Sequence, residues 1–453
     1  MTARVLQAQP AAPAAIGPAA VALGAGAALV AAAGALILGP AALGIPLVLA
    51  GAVFLVRHPL ALLTLFVYIG LFKEQAVIRA LPVDATLALG VLLIAVCFHR
   101  WLAGRGRQIP FGLAAPLAVI GIALVASLAW TPSPAYGAEK AWKFVTLTLL
   151  ATVAPLFLVE DERDLRRYFW WTVAMAALVA AVALAGPRAS DGRLTIGIEG
   201  NTIGIGHLLC TGAIILLLGA LTDLLPAPIW ALAGSVALVG VSAGVGSRGP
   251  LLSFVVALAA TGVIWLARVP RKVLPVLLVV VAGAALVPFL SLPESSGQRL
   301  GAAVANPVGA LEADPRYTSF GQAVQIIEQH PLFGIGAGGF QSVGVLESPP
   351  EDYPHNMVLE VWAELGFAVL VVLLASIVVL LSRLWTAAWR LPPSSPACRL
   401  LYLLIGVFAF NLFEAMLTGD LNENRTFWGV FGLAYVVVRY GVPARASDRR
   451  LAG

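Results

Sequence analysis

The chain has 453 residues, of which 60% are hydrophobic and only 11% are charged, and its mean hydropathy is +0.93. These values lie far outside the range of soluble globular proteins and indicate an integral membrane protein. Long apolar blocks such as "LVAAAGALILGPAALGIPLVLAGAVFLV" do not alternate in polarity, which excludes a transmembrane β-barrel. The net charge of +5 comes from basic residues scattered singly between apolar runs, so we predict a topology signal and no nucleic acid partner.

The apolar runs are long enough to cross about 30 Å of hydrocarbon as helices, which predicts an all-α, polytopic transmembrane helical bundle. The second and third runs are short, so we expect twelve to fourteen spans in a single integral membrane domain, residues 1–453. The candidate spans are 18–39, 41–56, 58–72, 84–101, 112–130, 143–159, 169–186, 205–221, 228–246, 250–267, 273–290, 357–382, 400–418 and 426–440.

The orientation of the spans follows from the lysines and arginines of the short loops. With a cytoplasmic N-terminus, most of the 28 basic residues fall on the cytoplasmic side, including those of "RVPRK" and the C-terminal "RASDRR". Most of the 23 acidic residues then lie on the opposite face. We therefore predict a multi-pass membrane protein with both termini in the cytoplasm.

Two outer segments are longer than simple turns, residues 187–204 and 291–356. The second is the larger outer loop region, and within it Phe320, Val324 and Ile327 follow a helical spacing. This spacing predicts an amphipathic helix. The pattern leaves open whether that helix lies on the membrane surface or packs over the bundle.

The cysteines and the intramembrane charges give little sign of metal or ion chemistry. Cys97, Cys210 and Cys398 have no metal-ligand spacing, so neither a zinc site nor a disulfide framework is predicted. Within the proposed spans, Glu414 is interpreted as the one clear charged residue, near the outer end of its helix. Ion-coupled transporters usually carry ionisable groups near the midplane, so this scarcity favours a protein that acts at the membrane interface.

Several polar residues of the outer face are candidates for that activity. Arg248 stands at a helix end in "GVGSRGPLLSF" and could bind a head-group phosphate or act as a snorkelling anchor. Arg316 precedes the amphipathic helix and could instead be a solvated loop charge. His330 most simply ends that helix, and His207 fits a packed histidine. His355 lies before a long helix and after the acidic "EDYP", where an imidazole could accept a proton near neutral pH.

Three elements in combination resemble the O-antigen ligase and polymerase superfamily. They are the "SRG" tripeptide, the stretch from Arg316 through "GQAVQIIEQHPLFGIGAGGF", and "HN" followed after nine residues by Gly366. The resemblance covers residues 195–382, which we expect to form the ligase-related core. It implies that Arg248 and Arg316 bind the diphosphate of an undecaprenyl-diphosphate-linked glycan and that His355 is the general base. Asn201, which resembles part of an Asn/Pro-rich loop, and Asn356 are added as substrate-binding candidates.

The resemblance thus implies an inverting glycosyltransferase that uses neither a metal nor another cofactor. A ligase would transfer the glycan to a lipid A-core hydroxyl, whereas a polymerase would transfer it to a second lipid-linked glycan and a protein-glycosylating enzyme to a Ser or Tyr hydroxyl. A lipid-linked sugar transporter, or flippase, remains the alternative from another class, and a scaffold of an export complex is a third. The resemblance also implies a bacterial cytoplasmic (inner) membrane protein whose larger periplasmic loop is residues 291–356. The expected active site lies on the periplasmic face, in contact with membrane lipid.

Overall fold

The computed structural model describes residues 44–73, 75, 78, 83–186, 188–190, 192–196, 201–222, 224–225, 228–266, 315–343 and 353–440. The chain divides into two compact units, residues 1–58 and 59–453. In the first unit, the described residues form one apolar helix, α1, Gly44–Arg57. Candidate spans 18–39 and 273–290, and much of the predicted 291–356 loop, lie outside the described residues.

The described residues of the second unit form helices. These are α2 Pro59–Tyr68, α3 Ala85–Leu102, α4 Phe111–Ala126, α5 Pro134–Lys143, α6 Leu149–Val153, α7 Pro155–Leu158, α8 Glu162–Ala185, α9 Thr202–Leu221, α10 Pro228–Val245, α11 Arg248–Leu266, α12 Pro315–Gln329, α13 Phe340–Val343, α14 Met357–Leu365, α15 Phe367–Arg390, α16 Pro396–Glu414 and α17 Arg425–Tyr440. In the described part of the chain, the sole β-type pairing is an isolated bridge between Arg188 and Leu194.

Eight helices of the described residues are long and apolar enough to cross a membrane, or up to nine when a further pair of shorter helices is counted as one span. They include Pro134–Leu158, in which α5, a π-helical segment, α6 and α7 follow one another. The predicted all-α, polytopic helical architecture is therefore confirmed. The protein is an integral membrane protein.

The core is centred on α9, whose side chains are almost all buried. It packs against α8, α10, α11 and α16, so the helices that begin at Arg248 and end at Glu414 both border it. Gly206 of α9 allows a close approach, because a Cβ there would lie 3.1 Å from Cγ of Pro250 in α11. The N-terminal ends of α9 and α11 are therefore neighbours.

The predicted span 357–382 is wrong as a single helix. The chain breaks at Gly366, where φ is +85°, and α14 and α15 are separate elements on either side. A Cβ at residue 366 would overlap the carbonyl oxygen of Leu332, so the neighbouring loop leaves room only for glycine. The membrane-spanning helix begins at Phe367, and the nine residues before Gly366 form a short helix that carries part of the candidate site.

The amphipathic helix α12 packs over the bundle. Ala323, Ile326 and Ile327 are buried in one cluster with residues of the following loop and of α14. Val324, which was predicted to belong to the apolar face, is 44% exposed. The helix therefore lies against α14, and its buried face is rotated relative to the predicted one.

Candidate active site

The candidate site is organised around residues 415–424, the loop that joins α16 to α17 and is called the 415–424 loop below. The backbone N–H of Met357 donates to the carbonyl oxygen of Ala415 over 2.9 Å. The side-chain nitrogen of Asn356 donates to the carbonyl oxygen of Met416 over 3.0 Å. These bonds place the turn that carries His355 directly beside the start of the loop.

His355 has an unusual backbone conformation. Its φ of +54° is the one positive value at a non-glycine position among the described residues. L-residues adopt this left-handed region at a cost of roughly 1–2 kcal/mol, so the surrounding contacts must hold it there. The half-buried imidazole lies 4.6 Å from the Tyr353 ring, centroid to centroid, in an edge-to-face arrangement.

Tyr353 links the histidine to the far end of the 415–424 loop. Its hydroxyl donates to Oε2 of Glu423 over 3.0 Å. Burial, with the nearby Glu423 carboxylate, raises the pKa of Tyr353, so the phenol remains protonated and keeps donating. The aromatic ring beside His355 is thus fixed at its outer edge.

The helix ends that carry the two predicted arginines approach Glu414, just before the start of the loop. A Cβ at Gly249, next to Arg248, would lie 3.7 Å from Oε1 of Glu414. Arg316 at the start of α12 acts electrostatically on the same carboxylate. Arg248 itself is exposed, at the first position of α11. The first residues of α11 and α12, which carry the two arginines, therefore both lie near Glu414. Glu414 is next in the chain to Ala415, which bonds the His355 turn.

The two predicted asparagines both cap helices. Oδ1 of Asn356 accepts hydrogen bonds of 3.0 Å from the N–H groups of Val358 and Leu359, at the start of α14. Asn201 caps α9 by accepting a 2.8 Å bond from the N–H of Gly204. Each cap satisfies backbone donors that would otherwise lack a partner within the helix. Contact of either side chain with substrate stays a prediction.

The sequence interpretation missed a buried cluster of three charges. Lys140 of α5 donates to Oε1 of Glu360 over 2.5 Å and to Oε2 of Glu364 over 2.7 Å. The interpretation of Glu414 as the one clear charge in the predicted spans is wrong, because Glu360 and Glu364 also lay within the predicted span 357–382. The signal was present in the spacing, since two acids four residues apart in an apolar stretch require a cation or a proton.

Among the described residues, no group of three or more His, Cys, Asp or Glu side chains is arranged to hold a metal ion. Each described cysteine is a buried free thiol.

A comparison with known protein families connects these residues with one family. Residues 233–374 match the sequence model of the O-antigen ligase family. This match supports membership of the O-antigen ligase superfamily. The matched stretch contains Arg248, Arg316 and His355, and it runs from α10 into α15. The predicted superfamily is thus confirmed, and the match supports a membrane glycosyltransferase of the O-antigen ligase or polymerase type.

No curated protein sequence is significantly similar to the chain.

Proposed function

We propose that the protein transfers a glycan from undecaprenyl diphosphate to an acceptor hydroxyl at the periplasmic face of the inner membrane, as an O-antigen ligase with a lipid A-core acceptor. The observation that carries this proposal is the meeting of the His355 turn with both arginine-bearing helix ends beside Glu414. A base and an anion site placed together in this way are the two groups that such a transfer needs.

Arg248 and Arg316 would bind the diphosphate of the donor. Cleavage of the sugar–phosphate bond leaves negative charge on the diphosphate oxygens, and fixed guanidinium groups stabilise that charge more in the transition state than in the ground state. Arginine suits this role because it is charged at every physiological pH and can donate two parallel hydrogen bonds to a phosphate. In the proposed reaction the two side chains take the part that a metal ion plays in other transferases.

His355 would accept the proton of the acceptor hydroxyl as its oxygen attacks the anomeric carbon. The new glycosidic bond forms on the face opposite the departing diphosphate, so the configuration at that carbon inverts. The electron pair of the broken bond leaves with the diphosphate. The half-buried position of the ring beside an outer loop suits a group that meets a lipid-borne donor and a water-side acceptor together.

The test compares purified wild type with His355→Asn in lipid nanodiscs supplied with an undecaprenyl-diphosphate glycan and candidate acceptors. Asparagine tolerates the left-handed backbone of residue 355 and removes the imidazole. Loss of general base catalysis predicts a turnover about 100- to 10,000-fold lower, with donor binding retained. The matched control is His330→Asn, at an exposed residue of the outer region.

The product identifies the acceptor class. Transfer of one glycan to lipid A-core supports the ligase proposal, whereas a ladder of products on a lipid-linked acceptor would assign the polymerase reaction. Wild-type turnover in His355→Asn would show that His355 is not the base. A protein that moves lipid-linked glycan across a bilayer but transfers it to no acceptor would be a transporter.

A further inference from the structure

The proposed reaction makes no use of the buried charge cluster formed by Lys140, Glu360 and Glu364, called the buried cluster below. Its three side chains are at most 2% exposed, and one ammonium group bonds both carboxylates. Burying three charges costs several kcal/mol per ion unless their partners are well placed. Because of this cost, we ask what the buried cluster contributes to the protein.

The buried cluster joins four segments that are distant in sequence. The N–H of Leu421 donates to Oε2 of Glu360 over 2.8 Å, which attaches the 415–424 loop. The N–H of Gly338 donates to Oε2 of Glu364 over 3.0 Å, which attaches the loop before α13. The side chain of Asn422 donates to the carbonyl oxygen of Lys140 over 3.0 Å, which attaches α5 directly to the 415–424 loop.

The geometry of these bonds fixes α14 in rotation and along its axis. Residues four apart lie one above the other on the same helix face, so Glu360 and Glu364 present two anchors in a line. A single ammonium group that bonds both anchors resists rotation and sliding of the helix alike. A helix of nine residues has little stability of its own, and apolar packing is less directional than these bonds.

The orientation of α14 determines where His355 lies. Asn356 caps α14 and bonds the 415–424 loop, and His355 is the residue immediately before that cap. A rotation of α14 would therefore carry the imidazole away from the arginine-bearing helix ends. Misplacement of a catalytic group on the order of 1 Å can reduce turnover about 100-fold.

We propose that Lys140, Glu360 and Glu364 are positioning residues for His355: they hold the rotation and height of α14 so that the imidazole faces the reacting groups. This inference rests on the proposed function. None of the three touches the reacting groups in this proposal, and each acts through the helix that follows His355.

The proposed positioning role differs measurably from a merely structural one. Replacing a buried ion cluster by neutral groups of similar size often leaves a protein as stable or more stable. The test variant is Lys140→Met combined with Glu360→Gln and Glu364→Gln, since each glutamine retains an oxygen that can accept the N–H of Leu421 or Gly338. The matched control neutralises the exposed pair on α5, with Glu139→Gln and Lys143→Met, whose side chains are 54% and 45% exposed.

Three quantities are measured for wild type, the test variant and the control in nanodiscs. They are the melting temperature, the hydrogen–deuterium exchange of residues 353–366, and the kcat and donor KM of glycan transfer. For the test variant we expect an unchanged or higher melting temperature and local exchange about tenfold faster. We also expect a kcat lower by about tenfold or more, with an unchanged donor KM. The control should match wild type in all three.

Exchange of residues 353–366 as slow as in wild type would overturn the inference, because α14 would then be held without the buried cluster. A lower melting temperature with faster exchange throughout the protein would also overturn it, in favour of a general structural role. Failure of the proposed function would give a different result, namely equal activity of wild type and His355→Asn. In that case the exchange rates of residues 353–366 would still decide whether the buried cluster fixes the His355 turn.

Discussion

Ser253 donates a 2.6 Å hydrogen bond to the buried carboxylate of Glu414. This bond ties α11, which begins at Arg248, to α16, which ends at Glu414. Thr418 donates to the other carboxylate oxygen over 3.2 Å, so both oxygens of Glu414 are occupied. The carboxyl group therefore lies in a fixed place beside the proposed diphosphate site, and its ionised form carries the same sign of charge as the donor.

Neutralising Glu414 is expected to strengthen donor binding. In Glu414→Gln the amide oxygen can still accept from Ser253, while the repulsion between the carboxylate and the diphosphate is removed. Because charges in proteins interact with an effective dielectric constant of about 20, the removed repulsion is modest. We expect the Kd for an undecaprenyl diphosphate analogue to fall about three- to tenfold. Titration calorimetry in nanodiscs measures this change. A weaker affinity would instead assign Glu414 the role of holding Arg316 in place.

Substitution of either arginine should reduce donor affinity through the loss of charge-assisted hydrogen bonds. Such bonds contribute about 1.5–3 kcal/mol each, so Arg248→Ala and Arg316→Ala should each raise the donor Kd about 10- to 100-fold. Lysine should restore only part of the affinity, because it cannot donate two parallel bonds. Arg390→Ala, at an exposed helix end, provides the control. Equal donor Kd values in Arg248→Ala and the control would remove Arg248 from the site.

The Tyr353 ring should matter more than its hydroxyl. Tyr353→Phe keeps the ring beside His355 and loses only the hydrogen bond to Glu423. Glu423 is exposed, so water can replace the lost hydroxyl donor. Tyr353→Ala also removes the aromatic contact, which contributes about 0.5–1.5 kcal/mol beyond the buried area. We expect kcat within about threefold of wild type for Phe and about tenfold lower for Ala. Equal losses in the two variants would assign the effect to the hydroxyl.

Gly366→Ala should be severely destabilising. The positive φ and the overlap of a Cβ with the Leu332 carbonyl oxygen act together, at a cost of more than about 3 kcal/mol. Gly321→Ala is the matched control, because a Cβ there meets nothing within 4 Å and alanine favours the helix by about 0.5–1 kcal/mol. Thermal unfolding in detergent should separate the two variants, and equal melting temperatures would contradict the assigned geometry.

The buried cluster predicts a pH dependence of stability. One ammonium group cannot neutralise two carboxylates, so burial, together with the neighbouring carboxylates of Asp420 and Glu364, raises the pKa of Glu360 above its ordinary value of 4.5. The Oε1 atom of Glu364 is buried without a hydrogen-bond partner in the described part of the chain. A proton on the Glu360 carboxyl removes its repulsion with these neighbouring carboxylates.

The sign of the effect follows from this raised pKa. The folded state binds more protons than the unfolded state above pH 4.5, so the contribution to stability is complete below that pH and is lost as the pH rises through the raised pKa. We expect the melting temperature of wild type to fall over this range and that of Glu360→Gln to fall less steeply. Parallel curves for the two proteins would show that the carboxyl group does not take up the proton.

The sequence by itself determined the class of the protein, most of its helices and its superfamily. The length and apolar composition of each run decide whether it forms a membrane helix, because backbone groups in hydrocarbon must be satisfied within the helix. The residues Arg248, Arg316 and His355 also stood out locally, at ends of predicted helices beside "SRG" and "HN". These features depend on neighbours in the chain, so local pattern was sufficient to identify them.

Only the tertiary structure decided how the site is held together. Lys140 and Glu360 are 220 residues apart in sequence, and no local pattern predicts that an ammonium in one helix will meet a carboxylate in the other. The packing of α12 on α14 and the break at Gly366 likewise depend on what lies beside these segments in space. Hydrophobic patterning fixes which faces are buried, whereas the partner against which each face is buried depends on the packing of the whole bundle.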